Sequence, residues 1–249
     1  MSVADAAIFA TISLVFLGMT VPLIAKLIAM GNSRASKWIV ITRRTPAPPI
    51  APAAAARGWQ YTASSGRWAH LFTVPPFGMR GAPYATDVVH GSREGGAFVA
   101  FTLHGVKRTN SSSERSSAPW RVVAVPLGGR IPRVSFTPTG ALAELLGVEV
   151  LEACEHEVLV ESHAFNERWR AGTDDTECAH AVLTSTVITA LIDAPSEIYS
   201  IFIENGYLVA ATAYPAHGLD WIDAWLDVLE RMRDGVPPFV WERWRLPAS

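Results

Sequence analysis

Cysteine is scarce in this chain. Cys154 and Cys178 are the only two in 249 residues, which excludes a disulfide framework and fits a reducing compartment, with a single bridge as the alternative. Catalytic signatures are scarcer still. There is no Gly-x-Ser-x-Gly elbow, no phosphate loop ending in Gly-Lys-Ser/Thr and no dinucleotide fingerprint, and "GSREGG" from Gly91 has glycines without a strand-to-helix setting. "HEVLV" at His156 opens like a metalloprotease helix, but Val160 stands where the second His belongs. Charge is missing from one stretch altogether, because no Asp, Glu, Lys or Arg lies between Ala6 and Ala25.

That gap is the first positive signal. Twenty uncharged residues at about 1.5 Å each make roughly 30 Å of helix, the thickness of a bilayer's hydrocarbon core. We therefore expect a short tail over residues 1–5 and a single transmembrane helix over 6–30, with Pro22 tolerated as prolines are in lipid. A cleaved signal would need a basic start and a small-x-small site, and the chain begins Ser2-Val3-Ala4-Asp5. Lys26, Arg34, Lys37, Arg43 and Arg44 follow the span and no basic residue precedes it. Positive flanks stay inside, so the expectation is an N-terminus outside and a C-terminal domain on the cytoplasmic face of the inner membrane.

Residues 31–56 read as a basic juxtamembrane stretch with Trp38 at headgroup level, followed by a Pro/Ala-rich, semi-extended linker. One domain should fill 57–249. Its charge is split. Up to Ser135 there are 15 basic and 4 acidic residues, and from Phe136 onward 6 basic and 19 acidic, giving +11 against −13. Either a basic surface including Arg57 faces anionic lipid, or the two halves complement each other inside one fold. Bulk nucleic-acid binding is disfavoured in both cases, since phosphates would meet an acidic half.

The pattern within the domain is mainly short strands. "ATDVVHG" and "GAFVAFTLHG" flank a glycine turn, and the second run is apolar on both faces, as a central strand is. "KRTNSSSERSSAP" reads as a solvated hairpin loop, "WRVVAVPL", "RVSFT" and "HEVLVES" as further strands, and "GALAELLG" as a short helix. From Asp174, a capping residue with Glu177 three positions on, one helix is expected to run to Pro195. Asn205-Gly206 marks a type I′ hairpin between "YSIFIE" and "YLVAATA". Ile222, Trp225, Leu226, Leu229 and Met232 form the stripe of a last amphipathic helix. The sum is an α+β domain, an antiparallel sheet with two or three packed helices; a PH-like barrel closed by the last helix is the alternative.

Two Cys-x-His pairs, Cys154/His156 and Cys178/His180, are weak candidates for a zinc site. On a strand such a pair shares a face; at a helix start its members diverge, so a buried free thiol beside a surface His is the default. Glu155, Glu157 and Glu161 read as the solvated side of a strand, and the many tryptophans as core anchors, with a ligand groove as the alternative. Neither a catalytic residue nor a cofactor is assigned.

Six motifs occur in order: "RGWQY" at Arg57, "PPFG" at Pro75, "GGAFVAF" at Gly95, "FNERWR" at Phe165, Asp174-Asp175 with "AHAVL", and "FVW" at Phe239. Together they resemble a family of membrane-anchored actinobacterial proteins with no established activity. The resemblance implies one domain behind an anchor and transfers no catalytic residue. In "FNERWR" we expect Phe165 and Trp169 to pack while Asn166 or Arg168 bonds backbone at the turn before the helix. The leading expectation is a tethered, non-enzymatic protein-interaction module of a membrane or envelope complex. A small-ligand or anionic-lipid sensor and a Cys- or metal-dependent hydrolase are the alternatives.

Overall fold

The computed structural model describes residues 50–77, 83–93, 96–107, 115–116, 119–139, 154–213 and 218–247. The expected span over 6–30, the basic residues Lys26 to Arg44, the glycine turn at Glu94-Gly95 and "GALAELLG" lie outside them. Among the described residues no helix is long and apolar enough to cross a membrane.

In chain order the elements are α1 (Ile50–Ala56), β1 (Gln60–Ser65), α2 (Gly66–His70), β2 (Tyr84–Arg93), β3 (Gly96–His104), β4 (Val106–Lys107), β5 (Arg115–Ser116), β6 (Trp120–Pro126) and β7 (Val134–Pro138). They continue with β8 (His156–Val158), α3 (His163–Arg168), β9 (Trp169–Thr173), α4 (Thr176–Val182), α5 (Ser185–Ile192), β10 (Ser200–Glu204), β11 (Tyr207–Thr212), α6 (Asp220–Gly235) and α7 (Pro238–Arg243). Nine strands form one antiparallel sheet in the order β1-β2-β3-β6-β11-β10-β7-β9-β8, while β4 and β5 pair with each other along the serine-rich connection. The domain is α+β as expected. Its sheet is open, ending at β1 and β8, so the barrel alternative is not adopted.

The central strands are apolar on both faces because both faces are covered. Phe98 and Ala100 of β3, Val123 and Val125 of β6, and Leu208 and Ala210 of β11 join a core with the inner faces of α4, α5 and α6. The alternate residues Val99, Phe101, Val122, Ala124, Val209 and Ala211 join a second core under Trp68, Phe72, Val74 and Phe77. Each buried side chain of this size contributes roughly 1.5–3 kcal/mol, so the two layers fix the strand register from both sides. The β10–β11 hairpin turns where expected, with Asn205 at φ 52° and Gly206 at φ 80°. In α6 the expected stripe of Ile222, Trp225, Leu226, Leu229 and Met232 is buried.

Four expectations need correction. The end of the supposed linker is α1, whose Ala54 is fully buried in the first core; alanine's helix propensity outweighs Pro52 in the first turn. The helix expected from Asp174 to Pro195 is two helices. Asp175, not Asp174, accepts from the Cys178 amide at 2.8 Å to cap α4, and the chain breaks at Leu183 so that Thr184 caps α5. Thr184 Oγ1 also donates to the Gly235 carbonyl at 2.9 Å, tying the break to the end of α6. Third, the strand at "HEVLVES" is only three residues long, so of Glu155, Glu157 and Glu161 only Glu157 lies on it. Fourth, the described residues hold seven helices against the two or three expected.

"FNERWR" behaves largely as its composition suggests. Phe165 and Trp169 are buried, and Asn166 Nδ2 donates to the Val160 carbonyl at 2.6 Å ahead of α3. Arg168 instead donates to the carbonyls of Ile192 and Ala194, and Trp169 Nε1 to Leu191 at 2.7 Å, so three donors satisfy the C-terminal end of α5.

Gly91 of β2 is the tightest approach in the sheet. A Cβ there would lie 2.5 Å from the Phe98 ring and 2.6 Å from that of Trp59, two rings that meet edge to face at 5.0 Å. Gly91→Ala should therefore cost about 1–3 kcal/mol, measured as a lowered urea midpoint with unchanged slope; an unshifted midpoint would refute this packing.

Candidate functional site

Among the described residues, three arginines of the basic half are paired inside the fold. Arg57 pairs with Asp220 and, at 3.8 Å, with Asp223 at the start of α6. Arg93 pairs with Asp227 and, at 2.7 Å, with Glu230 further along that helix. Arg133 pairs with Asp174 at 3.0 Å and Glu204 at 3.8 Å. Each is an arginine from the basic half held by carboxylates from the acidic half. Complementarity within one fold is thus realised, and Arg57, considered for lipid contact, is engaged by α6.

Two polar clusters close the sheet at opposite ends of β6. At the C-terminal end a cleft of about 450 Å³ is lined by Arg130, Ile131, Arg133, Asp174, Glu204 and Asn205, with Leu246 on its rim. Glu204 is almost fully buried and accepts from the amides of Thr73 (2.7 Å) and Val74 (3.3 Å) and from the Thr73 hydroxyl. Arg133 Nη1 donates to Thr73 Oγ1 at 3.1 Å. Arg130 differs from Arg133 in its partners: it donates to Asn205 Oδ1 at 2.7 Å and the Pro247 carbonyl at 3.2 Å, both neutral. Asn205 passes the chain on, donating to the Leu71 carbonyl at 2.6 Å. The cleft is a hydrogen-bonded corner whose carboxylates are already satisfied.

At the other end, the β2–β3 register shifts between Thr86 and Val89, and Asp87 takes φ 51° in that bulge. A non-glycine residue in this region stores strain, and bulges re-aim side chains. Here the carboxylate is aimed at Tyr61, whose hydroxyl donates to it at 3.1 Å, and at Thr86 Oγ1, 3.4 Å away. Thr86 Oγ1 also lies 2.9 Å from His104 Nε2, and Tyr84 stacks on the His104 ring at 4.7 Å. Burial pushes His104 below its ordinary range, with the Asp87 charge opposing and Arg121 acting in the same direction as burial. Arg121 donates to Thr102 and lines, with Asp87, Trp221 and Ile222, a void of about 10 Å³. Sequence reading missed this cluster, because its members are 60 residues apart in the chain and no motif joins Tyr61 to Arg121.

The weak metal candidates fall as follows. Cys178 is buried in α4 while His180 is exposed, as helical divergence requires. Half-buried Cys154 sits 3.1 Å from Ser135 Oγ, and His156 is exposed at the start of β8. Both thiols are free. Among the described residues no group of three His, Cys, Asp or Glu side chains is arranged to hold a metal. Burial, reinforced by Asp175, pushes Cys178 up to about 12. Burial also raises Cys154, against the Ser135 hydrogen bond and the Arg133 charge. Of the tryptophans, Trp68, Trp120, Trp169 and Trp225 are buried core anchors.

No protein-family model matches the chain, and no curated protein matches it. Among solved structures it is similar to the crystal structure of the mycobacterial trehalose monomycolate transport factor A, TtfA. The two share 15% identity at a TM-score of 0.53, over 79% of this chain and 95% of that one. That likeness establishes a common fold.

Two outcomes follow from these environments. At pH 8 a thiol with a pKa near 12 is ionised in about one molecule in ten thousand, so maleimide should modify Cys154 in the native protein and Cys178 only after unfolding; equal native rates would contradict the burial of Cys178. Because His104 is held neutral in the fold, its contribution to stability is present above the unfolded value near 6.5 and is lost as pH falls through the lower folded value. Urea melts at pH 7.5 and 5.5 should show a smaller loss for His104→Gln than for wild type, and parallel losses would rule the coupling out.

Proposed function

We propose that the chain is a membrane-tethered, non-enzymatic interaction module, an accessory component of a membrane or envelope complex. The observation that carries this reading is the fold shared with 95% of the crystallised chain of a protein named as a transport factor. That name ties TtfA to trehalose monomycolate; for this chain the proposal stays with the broader class. Three further features support it: the uncharged run from Ala6 to Ala25, the basic flank from Lys26 to Arg44, and the resemblance to anchored actinobacterial proteins. In this reading the tether holds residues 50–249 at the inner face of the cytoplasmic membrane. The partner is a protein, met at a raised effective concentration because both are confined to one surface.

The test is mild detergent extraction of the intact chain from its native membrane, with affinity purification and native mass measurement. A partner should co-elute in fixed stoichiometry and survive re-purification. A chain that always elutes alone, or a reporter after Ser249 that is active only outside the cell, would refute the module or its orientation respectively.

A further inference from the structure

Among the described residues Arg57, read from the sequence as lipid-facing, is engaged inside the fold together with Arg93 and Arg133, and a different group of arginines stands at the C-terminal end. Arg130 and Arg245 bond only neutral acceptors there: Arg130 the Asn205 side chain and the Pro247 carbonyl, Arg245 the Trp241 carbonyl at 3.2 Å. Arg243 reaches Glu177 at 3.1 Å, but both side chains are mostly exposed. Such a pair is worth little. Residues 238–247 together with Arg130 carry three arginines against Glu242, and with Glu177 on Arg243 the local balance is +1.

Apolar surface is exposed at the same place. Among the described residues four large hydrophobic side chains stand out in water, and two of them, Phe239 at 51% and Leu246 at 41%, belong to this segment. Phe239 lies beside the half-exposed Trp244 with ring centroids 6.4 Å apart, and the Arg243 guanidinium sits 4.6 Å above the Trp244 ring. The segment is held in place. Val240 is fully buried, and the Leu246 amide donates to the Arg130 carbonyl at 2.8 Å, which fastens the tail to the loop before β7.

We propose that Phe239, Trp244 and Leu246, with Arg130, Arg243 and Arg245, form a docking surface for an anionic lipid bilayer. Aromatic and aliphatic tips enter the boundary between headgroups and acyl chains, where amphipathic rings are favoured. The guanidinium groups stay at the level of the phosphates, each strengthening association about fivefold. A flat, anionic, deformable surface suits this patch better than a protein groove, because its apolar residues sit at an exposed helix end and tail. The inference deepens the tethered-module reading: the bilayer would be met at both ends of the chain, which would fix the domain's orientation for its partner.

The experiment uses the full chain reconstituted into phosphatidylcholine vesicles with or without 30% phosphatidylglycerol (about one lipid in three, enough for the surface potential that draws basic residues). Both carry a photoactivatable phospholipid, and labelled peptides are located by mass spectrometry. In anionic vesicles residues 239–247 should be labelled at least several-fold above the level in neutral vesicles. That labelling should fall with salt, with Arg243→Ser/Arg245→Ser and with Phe239→Ser/Leu246→Ser, the fold being checked by an unchanged urea midpoint. Labelling of 239–247 no higher than in neutral lipid would overturn the proposal. So would labelling indifferent to the arginines, or loss of a co-purifying protein on the same substitutions without any lipid contact. Labelling of residues 6–30 reports the anchor separately, so failure of the tether and failure of the patch give different peptide maps.

Discussion

Burial of the central strands on both faces is the constraint from which the rest of this structure follows. β3, β6, β11 and β10 lie between two apolar layers, and a register slip by one residue would exchange every side chain between them. Polar chemistry is thereby pushed to the strand ends. The Glu204 corner sits where β10 stops, and the Asp87 bulge turns its polar side chain out of β2 where the β2–β3 register shifts between Thr86 and Val89.

Charge follows the same logic. Arg93 must leave β2 beside α6, and Glu230 of that helix is buried with the guanidinium as its partner. An isolated buried carboxylate would be costly, and the pair recovers that cost without adding much net stability. The same holds for Glu204, which takes two backbone amides and a hydroxyl as well as the nearby Arg133. Arg57, Arg93 and Arg133 are thus bound into one electrostatic unit with acids of the second half, and the near-zero total of −2 conceals these specific long-range pairings. Those pairings span up to 163 positions in sequence, from Arg57 to Asp220.

Local patterns were legible and long-range ones were not. Asn205-Gly206 announces its turn because two successive positive φ angles need such residues, and the stripe of α6 is visible because the helical period brings Ile222 to Met232 onto one side. The break at Leu183 was hidden. Apolar spacing continues unbroken across it, and the residue that stops the helix, Thr184, acts by bonding to Gly235, 51 positions away. The cap shifted from Asp174 to Asp175 for a similar reason, since Asp174 is drawn off by Arg133 across the sheet. α1 was masked by Pro52, a residue whose usual meaning fails in a helix's first turn. The two polar clusters could not be read at all, because each assembles residues from elements that meet only once the sheet exists.

These observations bear on where an outward role can reside. Asp87 holds a strained backbone, and strain of that kind commonly marks a working site. Here its carboxylate is spent on Tyr61 and Thr86, and the neighbouring void is no larger than a single water needs. The cluster therefore reads as a joint that fixes β1 and β2 against β3. The larger cleft is open, yet its acids are engaged by Arg133, by backbone amides and by the Thr73 hydroxyl, which leaves Arg130 as the lining cation bound to neutral groups. Followed outward, Arg130 leads through its backbone bond to Leu246 and the aromatic tail. The carboxylates of the cleft are engaged, whereas Arg130, bound to neutral groups, lies at the same end of the molecule as exposed Phe239 and Leu246.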